Sequence, residues 1–160
     1  MKLEEAQAYA GKVVETIRDM CERIEVVGSI RRRKREVNDI DVVLIPKFGT
    51  WPSIVPHLKK ALNMVVIREG PELLGLGFSE ADLPVDIYKA TPENWGVLLL
   101  IRTGSKEHNI KLCTRARWKG MMLSAAKGVI KDGKVIASRT EEEIFKALGM
   151  SFVEPEKREA

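Results

Sequence analysis

The first clear pattern along the chain is helical. Leu3, Ala6, Ala10, Val13, Val14, Ile17 and Met20 or Cys21 recur at three- and four-residue spacing, with Glu, Lys and Arg between them. Residues 3–23 are therefore predicted to form an amphipathic helix. Two short β-branched runs follow, 25–28 and 39–45, the second closed by Pro46. Both are predicted strands. Residues 51–62 read as a helix with Pro52 near its start, and 64–67 as a strand. Residues 72–79 and 83–89 form the two arms of a predicted hairpin, the first weakened by Gly75 and Gly77. From Pro92 the period turns helical through Ile101. Ser105 is placed to cap a further helix to about Lys119. Short strands at 128–130 and 134–136 flank Asp132-Gly133, a type I′ turn signal. Thr140 with Glu143 makes a capping-box pattern that opens a last helix, ended at Gly149.

This order predicts an α/β (α+β) chain with a mixed sheet, in two small subdomains. Residues 1–91 are strand-rich and carry most of the aspartates; residues 92–160 are helical and basic. At 44% hydrophobic and 31% charged residues, the chain has enough apolar surface to fold. The longest apolar run, near residues 97–101, is too short to span a bilayer, and the N-terminus has no secretion pattern. No membrane partner is expected. Cys21 and Cys113 make neither a disulfide framework nor a zinc site, so a reducing cytoplasmic location is expected, with a monomer as the default. The net charge of +4 is unevenly spread. Arg31, Arg32, Arg33, Lys34 and Arg35 are consecutive, and a second basic stretch over 102–134 includes Lys106, Lys111, Arg115 and Lys119. Acidic residues collect at Glu141–Glu143 and in the tail. Such runs are either solvated faces or patches that grip phosphates.

Candidate chemistry is concentrated in the first subdomain. Asp39 and Asp41 are two apart, a spacing that puts both carboxylates on one face of a strand. Their repulsion would be relieved by a divalent cation, and Mg2+ favours carboxylates, waters and substrate phosphates. Gly28-Ser29 ends a predicted strand and opens a turn, where close backbone approach and a hydroxyl donor suit an anion. Asp86 alternates with Val85 and Ile87 and faces away from them. If its strand neighbours that of Asp41, three carboxylates converge, the arrangement that two metals use to move a nucleotidyl group. The plain alternatives are a strand–turn–strand with a basic loop, and an Asp86 that is merely exposed or paired with an arginine.

At this point the sequence resembles the DNA polymerase X family, the polymerase-beta type. Residues 28–41, from Gly28-Ser29-Ile30-Arg31-Arg32 to Asn38-Asp39-Ile40-Asp41, look like that family's Gly-Ser-x-Arg-Arg-Gly…Gly-Asp-x-Asp signature. Thr103-Gly104-Ser105 with Asn109 is similar to its Thr-Gly-Ser…Asn motif, and the stretch from Thr140 through Pro155 to Arg158-Glu159 resembles its C-terminal signature. The resemblance spans essentially the whole chain. It implies a nucleotidyltransferase palm over 1–91 and a small helix-rich thumb over 92–160.

It also implies a repair-type DNA polymerase that transfers a deoxynucleotide from a dNTP to a primer 3′-hydroxyl on gapped or primed DNA. Two Mg2+ ions would serve, with Mn2+ as a substitute. By position, Asp39, Asp41 and Asp86 would be the catalytic metal ligands. Gly28, Ser29 and Arg32 would hold phosphates. Thr103, Gly104, Ser105 and Asn109 would lie along the incoming nucleotide, with His108 reaching the triphosphate. Lys106, Lys111, Arg115 and Lys119 would grip DNA. Arg33 and Asn38 replace glycines of the family pattern, Ile101 and Arg102 replace its aromatic pair, and Cys113 stands where it has an arginine. The sugar preference and fidelity are thus open. With a single helix before the Gly-Ser strand, no lyase activity is expected. The rival readings are a template-independent nucleotidyltransferase and a non-catalytic DNA-binding module.

Overall fold

The computed structural model describes residues 1–159 and divides the chain into two units, Met1–Ala90 and Thr91–Ala160. In the first unit, α1 (Leu3–Ile17) stops earlier than its periodicity predicts. A 3₁₀ turn at Arg18–Met20 follows, and Cys21 already begins β1 (Cys21–Val26). Residues 21–23 are therefore strand, because pairing with the next strand outweighs the helical spacing at Met20 and Cys21. Burial pushes the Cys21 thiol up to about 11, so it behaves as a small apolar group.

The one-turn helix α2 (Gly28–Arg31) follows, then β2 (Ile40–Pro46), α3 (Trp51–Leu62), β3 (Met64–Glu69), β4 (Leu73–Phe78) and β5 (Pro84–Lys89). Helix α3 matches its predicted bounds. It stops at Asn63, a left-handed residue whose N–H is donated to the Lys59 carbonyl. The five strands form one mixed sheet in the order β1-β2-β5-β4-β3; β2 and β5 are parallel and the other neighbours antiparallel.

Alternation along the strands decides which face is buried. Ile40, Val42 and Leu44 of β2, Leu74 and Leu76 of β4, and Val85 and Ile87 of β5 share one core. Ala6, Ala10, Val13 and Ile17 of α1 and Ile54 and Leu58 of α3 complete it. Their partners at odd register, Asp41, Gly75 and Asp86, are turned to the other face.

The second unit holds α4 (Trp95–Thr103), α5 (Lys106–Trp118), β6 (Met122–Ser124), β7 (Gly128–Lys131), β8 (Lys134–Ala137) and α6 (Glu141–Ala147). Its antiparallel sheet runs β6-β7-β8. Strand β6 has no counterpart in the periodicity, since three residues are too few to show alternation. Asp132 and Gly133 both have positive φ, as the turn type requires. Gly96 lets α4 lie directly on the chain at Thr140, where a Cβ would meet the Thr140 Cα at 2.6 Å. Trp95, Leu100, Leu112, Val129, Ile144, Phe145 and Leu148 are buried in this unit. Among the described residues, no helix is long and apolar enough to cross a membrane.

Candidate active site

The open face of the first unit's sheet carries the carboxylates. Asp41 of β2 and Asp86 of β5 are direct register partners across the parallel pair. Gly75 of β4 is the register partner of Asp86 on its other side. A Cβ at Gly75 would lie 3.5 Å from Asp86 Oδ1. The sheet therefore sets two acids side by side with a low floor next to them.

Asp39 is placed differently from expectation. It is half-buried and precedes β2, whose ladder starts at Ile40, so the alternation of the strand does not by itself fix its direction. Among the described residues, no group of three His, Cys, Asp or Glu side chains forms a ready metal cage. Mg2+ binds through one or two carboxylates and completes its shell with water and substrate phosphates. The Asp41–Asp86 pair fits such an ion.

Gly28 ties the basic loop to this pair. Its φ is +63°, and a Cβ there would overlap the Asp41 carboxylate, with Asp41 Cβ and Cγ both 3.2 Å away. Only glycine satisfies both demands. The Ser29 hydroxyl is buried without a hydrogen-bond partner among the described residues. An orphaned hydroxyl of this kind costs stability unless a ligand supplies its partner. The turn closes on itself: Arg32 N–H is donated to Gly28 O at 3.2 Å, and Lys34 N–H to Ser29 O at 3.0 Å.

In the second unit, several residues expected along a nucleotide are committed to the loop itself. The Thr103 hydroxyl is donated to Leu99 O at 2.6 Å, and Thr103 is fully buried. Ser105 caps α5 by accepting from His108 N–H, donates its hydroxyl to Glu159 O at 3.0 Å, and bonds Arg158 O through its own N–H. Gly104 has φ +73° between them. Asn109 donates its amide to Ile101 O at 2.9 Å, while its buried Oδ1 has no partner among the described residues.

Two of the expected site residues are engaged within the second unit itself. His108 is 1% exposed and packs its ring near Phe145. Burial, then the positive charges of Arg158 and Lys111, pull it down to about 4. A neutral core imidazole results. The Arg115 guanidinium is donated to Leu148 O and Gly149 O at the end of α6. Lys106, Lys111 and Lys119 remain exposed.

The acidic run at 141–143 is also not simply solvated. Glu141 pairs with Arg158, and Glu143 accepts from Ser138 N–H rather than from Thr140 in a reciprocal box. The Thr140 half of the cap forms as the pattern predicts.

The order of elements and the sheet topology form a polymerase-beta-type fold. The whole chain superposes on Leishmania infantum polymerase beta, described as a ternary P/T complex, with a TM-score of 0.85 at 19% identity, covering 77% of that chain. Residues 98–159 match the family model for the DNA polymerase beta thumb. The Repair DNA polymerase X of African swine fever virus is 23% identical over 156 residues, spanning 94% of this chain and 87% of the relative. The DNA polymerase/3′-5′ exonuclease PolX of Bacillus subtilis is 29% identical over 137 residues, 83% of this chain but 24% of that longer protein. The chain is thus similar to members of the DNA polymerase X family in sequence and to polymerase beta in fold.

Proposed function

We propose that the chain is a repair-type DNA polymerase that extends a primer 3′-hydroxyl by one deoxynucleotide at short gaps, releasing pyrophosphate. The observation that carries this reading is the register pairing of Asp41 with Asp86 beside the Gly28–Ser29 turn. Asp41 and Asp86, with Asp39 near the start of the same strand, would hold Mg2+. Bound there, Mg2+ would lower the pKa of the attacking hydroxyl and offset the charge of the triphosphate.

The chain's own groups do the rest. Ser29 and Arg32 hold the β- and γ-phosphates, and the orphaned Ser29 hydroxyl gains its partner. An Asp86 carboxylate oxygen accepts the proton of the primer 3′-hydroxyl. As the bond from O3′ to the α-phosphorus forms, the bond from that phosphorus to the pyrophosphate oxygen breaks in line. Positioning and electrostatics supply the rate. Lys106, Lys111 and Lys119 offer exposed positive charge to DNA phosphates. Gly104 through its backbone and Asn109 through its unpartnered Oδ1 would lie along the nucleotide in the second unit.

The test is single-nucleotide addition to a labelled primer on gapped DNA, with Mg2+ and each dNTP supplied separately. Addition governed by the template base is the expected result. Addition indifferent to the template would replace this reading with a template-independent transferase; tight DNA binding with no addition would replace it with a binding module.

A further inference from the structure

Helix α5 buries one face and leaves the opposite one uncovered. His108, Leu112 and Ala116 recur at four-residue spacing and are buried. The far arc of the helix holds Lys106, Glu107, Ile110, Lys111, Arg117 and Trp118, all exposed. Trp118 is 79% exposed and Ile110 is 55% exposed, whereas Trp95 is buried and Trp51 half-buried.

Single apolar residues on a surface need no explanation. Here two large ones stand among cations. At two-turn spacing Lys111 lies in line with Trp118, and Ile110 with Arg117; Lys119 follows at the helix end. Glu107 is the only acid in the sequence from Lys106 to Lys119. Among the described residues, Lys106, Lys111 and Arg117 form no ion pair, so their charges face solvent. The helix dipole explains only part of this pattern. It favours the cations of the last turn, Arg115 and Arg117, but disfavours Lys106 at the first position. It does not bear on an uncovered indole.

A partner for this face must meet a flat aromatic surface and positive charge together. The bases of a duplex are already stacked on one another and must be pulled out to meet a side chain. An unpaired strand brings a phosphate with every nucleotide and bases free to stack, and such stacking tolerates any sequence. We infer that this face of α5 binds single-stranded DNA, with its phosphates on Lys111, Arg117 and Lys119 and one base stacked on Trp118. This rests on the polymerase reading for the source of the strand, the unpaired template within a gap. Ile110 extends the apolar surface along the same face.

The test measures the Kd of the full chain for a labelled thymidine oligonucleotide about ten residues long. A base-free oligonucleotide of the same length and a fully paired duplex serve as comparisons. The variants are Trp118→Ala, Trp118→Phe, Trp118→Leu and Lys111→Ala. Trp118→Ala is expected to weaken binding of the thymidine oligonucleotide about fivefold or more, the loss of one base–aromatic stack. Its affinity for the base-free oligonucleotide and for the duplex should stay within about twofold of the parent. Trp118→Phe should keep most of the binding, and Trp118→Leu should fall with Trp118→Ala. Trp118→Ala should leave the slope of log K against log salt unchanged, while Lys111→Ala flattens it by about one unit. Thermal unfolding of the Trp118 variants should match that of the parent, because the side chain is exposed.

Unchanged affinity in Trp118→Ala would overturn the inference. So would an equal loss on the base-free oligonucleotide or the duplex, or full retention by Trp118→Leu, since none of these needs a stacked base. Oligonucleotide binding needs no turnover. A chain that stacks thymidine on Trp118 yet adds no nucleotide to a gapped primer defeats the polymerase reading alone. A chain that fills gaps while Trp118→Ala binds the oligonucleotide as the parent does defeats the inference alone.

Discussion

Arg158 and Glu141 form an ion pair of 2.6 Å with both side chains shut from solvent, at 0% and 4% exposure. The guanidinium also lies 5.4 Å from the Phe145 ring centroid and 5.3 Å from that of Phe152, and its Nε is donated to Val153 O. The Arg158 carbonyl accepts from Ser105 N–H. The pair therefore fastens the C-terminal segment onto α6 and onto the Gly104–Ser105 loop. Glu141→Ala leaves a buried guanidinium uncompensated and is expected to cost about 3–5 kcal/mol, read from urea unfolding. Replacing both partners together, Glu141→Met with Arg158→Leu, should recover most of that loss, because no stranded charge remains.

His108 links stability to pH. Its folded value of about 4 lies below the ordinary 6.5, so the unfolded chain takes the proton first as pH falls. Its contribution is complete above pH 6.5 and is lost between 6.5 and 4, amounting to about 3 kcal/mol. Denaturant unfolding at pH 7 and pH 4.5 should show the drop, and His108→Phe should flatten that part of the profile.

Gly28→Ala should fail on two counts. The methyl group meets the Asp41 carboxylate, and the left-handed φ strains any L side chain. A loss of about 1–2 kcal/mol is expected from the backbone alone, with weakened triphosphate binding in addition. The same change at Gly11, where a Cβ meets nothing within 4 Å, is the control and should not destabilise the fold.

Asp86→Asn keeps the shape of the side chain and removes its charge. Gap filling is expected to fall by at least about 10²–10³-fold, with DNA affinity nearly unchanged in a filter or anisotropy assay. Parallel loss of DNA binding would mean that Asp86 organises the unit rather than the chemistry.

DNA affinity should fall steeply with salt, as counterions released by each neutralised phosphate are the driving term. Lys106→Ala, Lys111→Ala and Lys119→Ala should each flatten the plot of log K against log salt by about one unit. Arg115→Ala should act on stability instead, since its guanidinium holds the end of α6.

Much of the architecture was legible because strong local signals agree with the tertiary outcome. Helix α3 has a proline at its start and an asparagine at its end. The Ser105 and Thr140 caps place both oxygens on the expected backbone donors. Residues 21–23 misled because Cys21 continues the helical spacing, and only the partner strand reveals its true pairing. The acids of 141–143 look alike in sequence, yet Glu141 finds a buried arginine that lies far along the chain. The carboxylate pair was recoverable from alternation at Asp86, but its register with Asp41 was not, since strand neighbours are set by topology. Burial of His108 was equally hidden: the residues that cover it belong to segments distant in sequence.

The parallel pairing of β2 with β5 has a kinetic consequence. Parallel neighbours cannot be closed by a tight turn, and here α3, β3 and β4 lie between them in the chain. Asp41 and Asp86 therefore meet only after the intervening segments have taken their places, a long loop closure that comes late and slowly. A nascent or partly unfolded chain can display its arginine-rich loop, but it owns no pair of acids. Under the proposed function, chemical competence would therefore arrive only with the completed sheet.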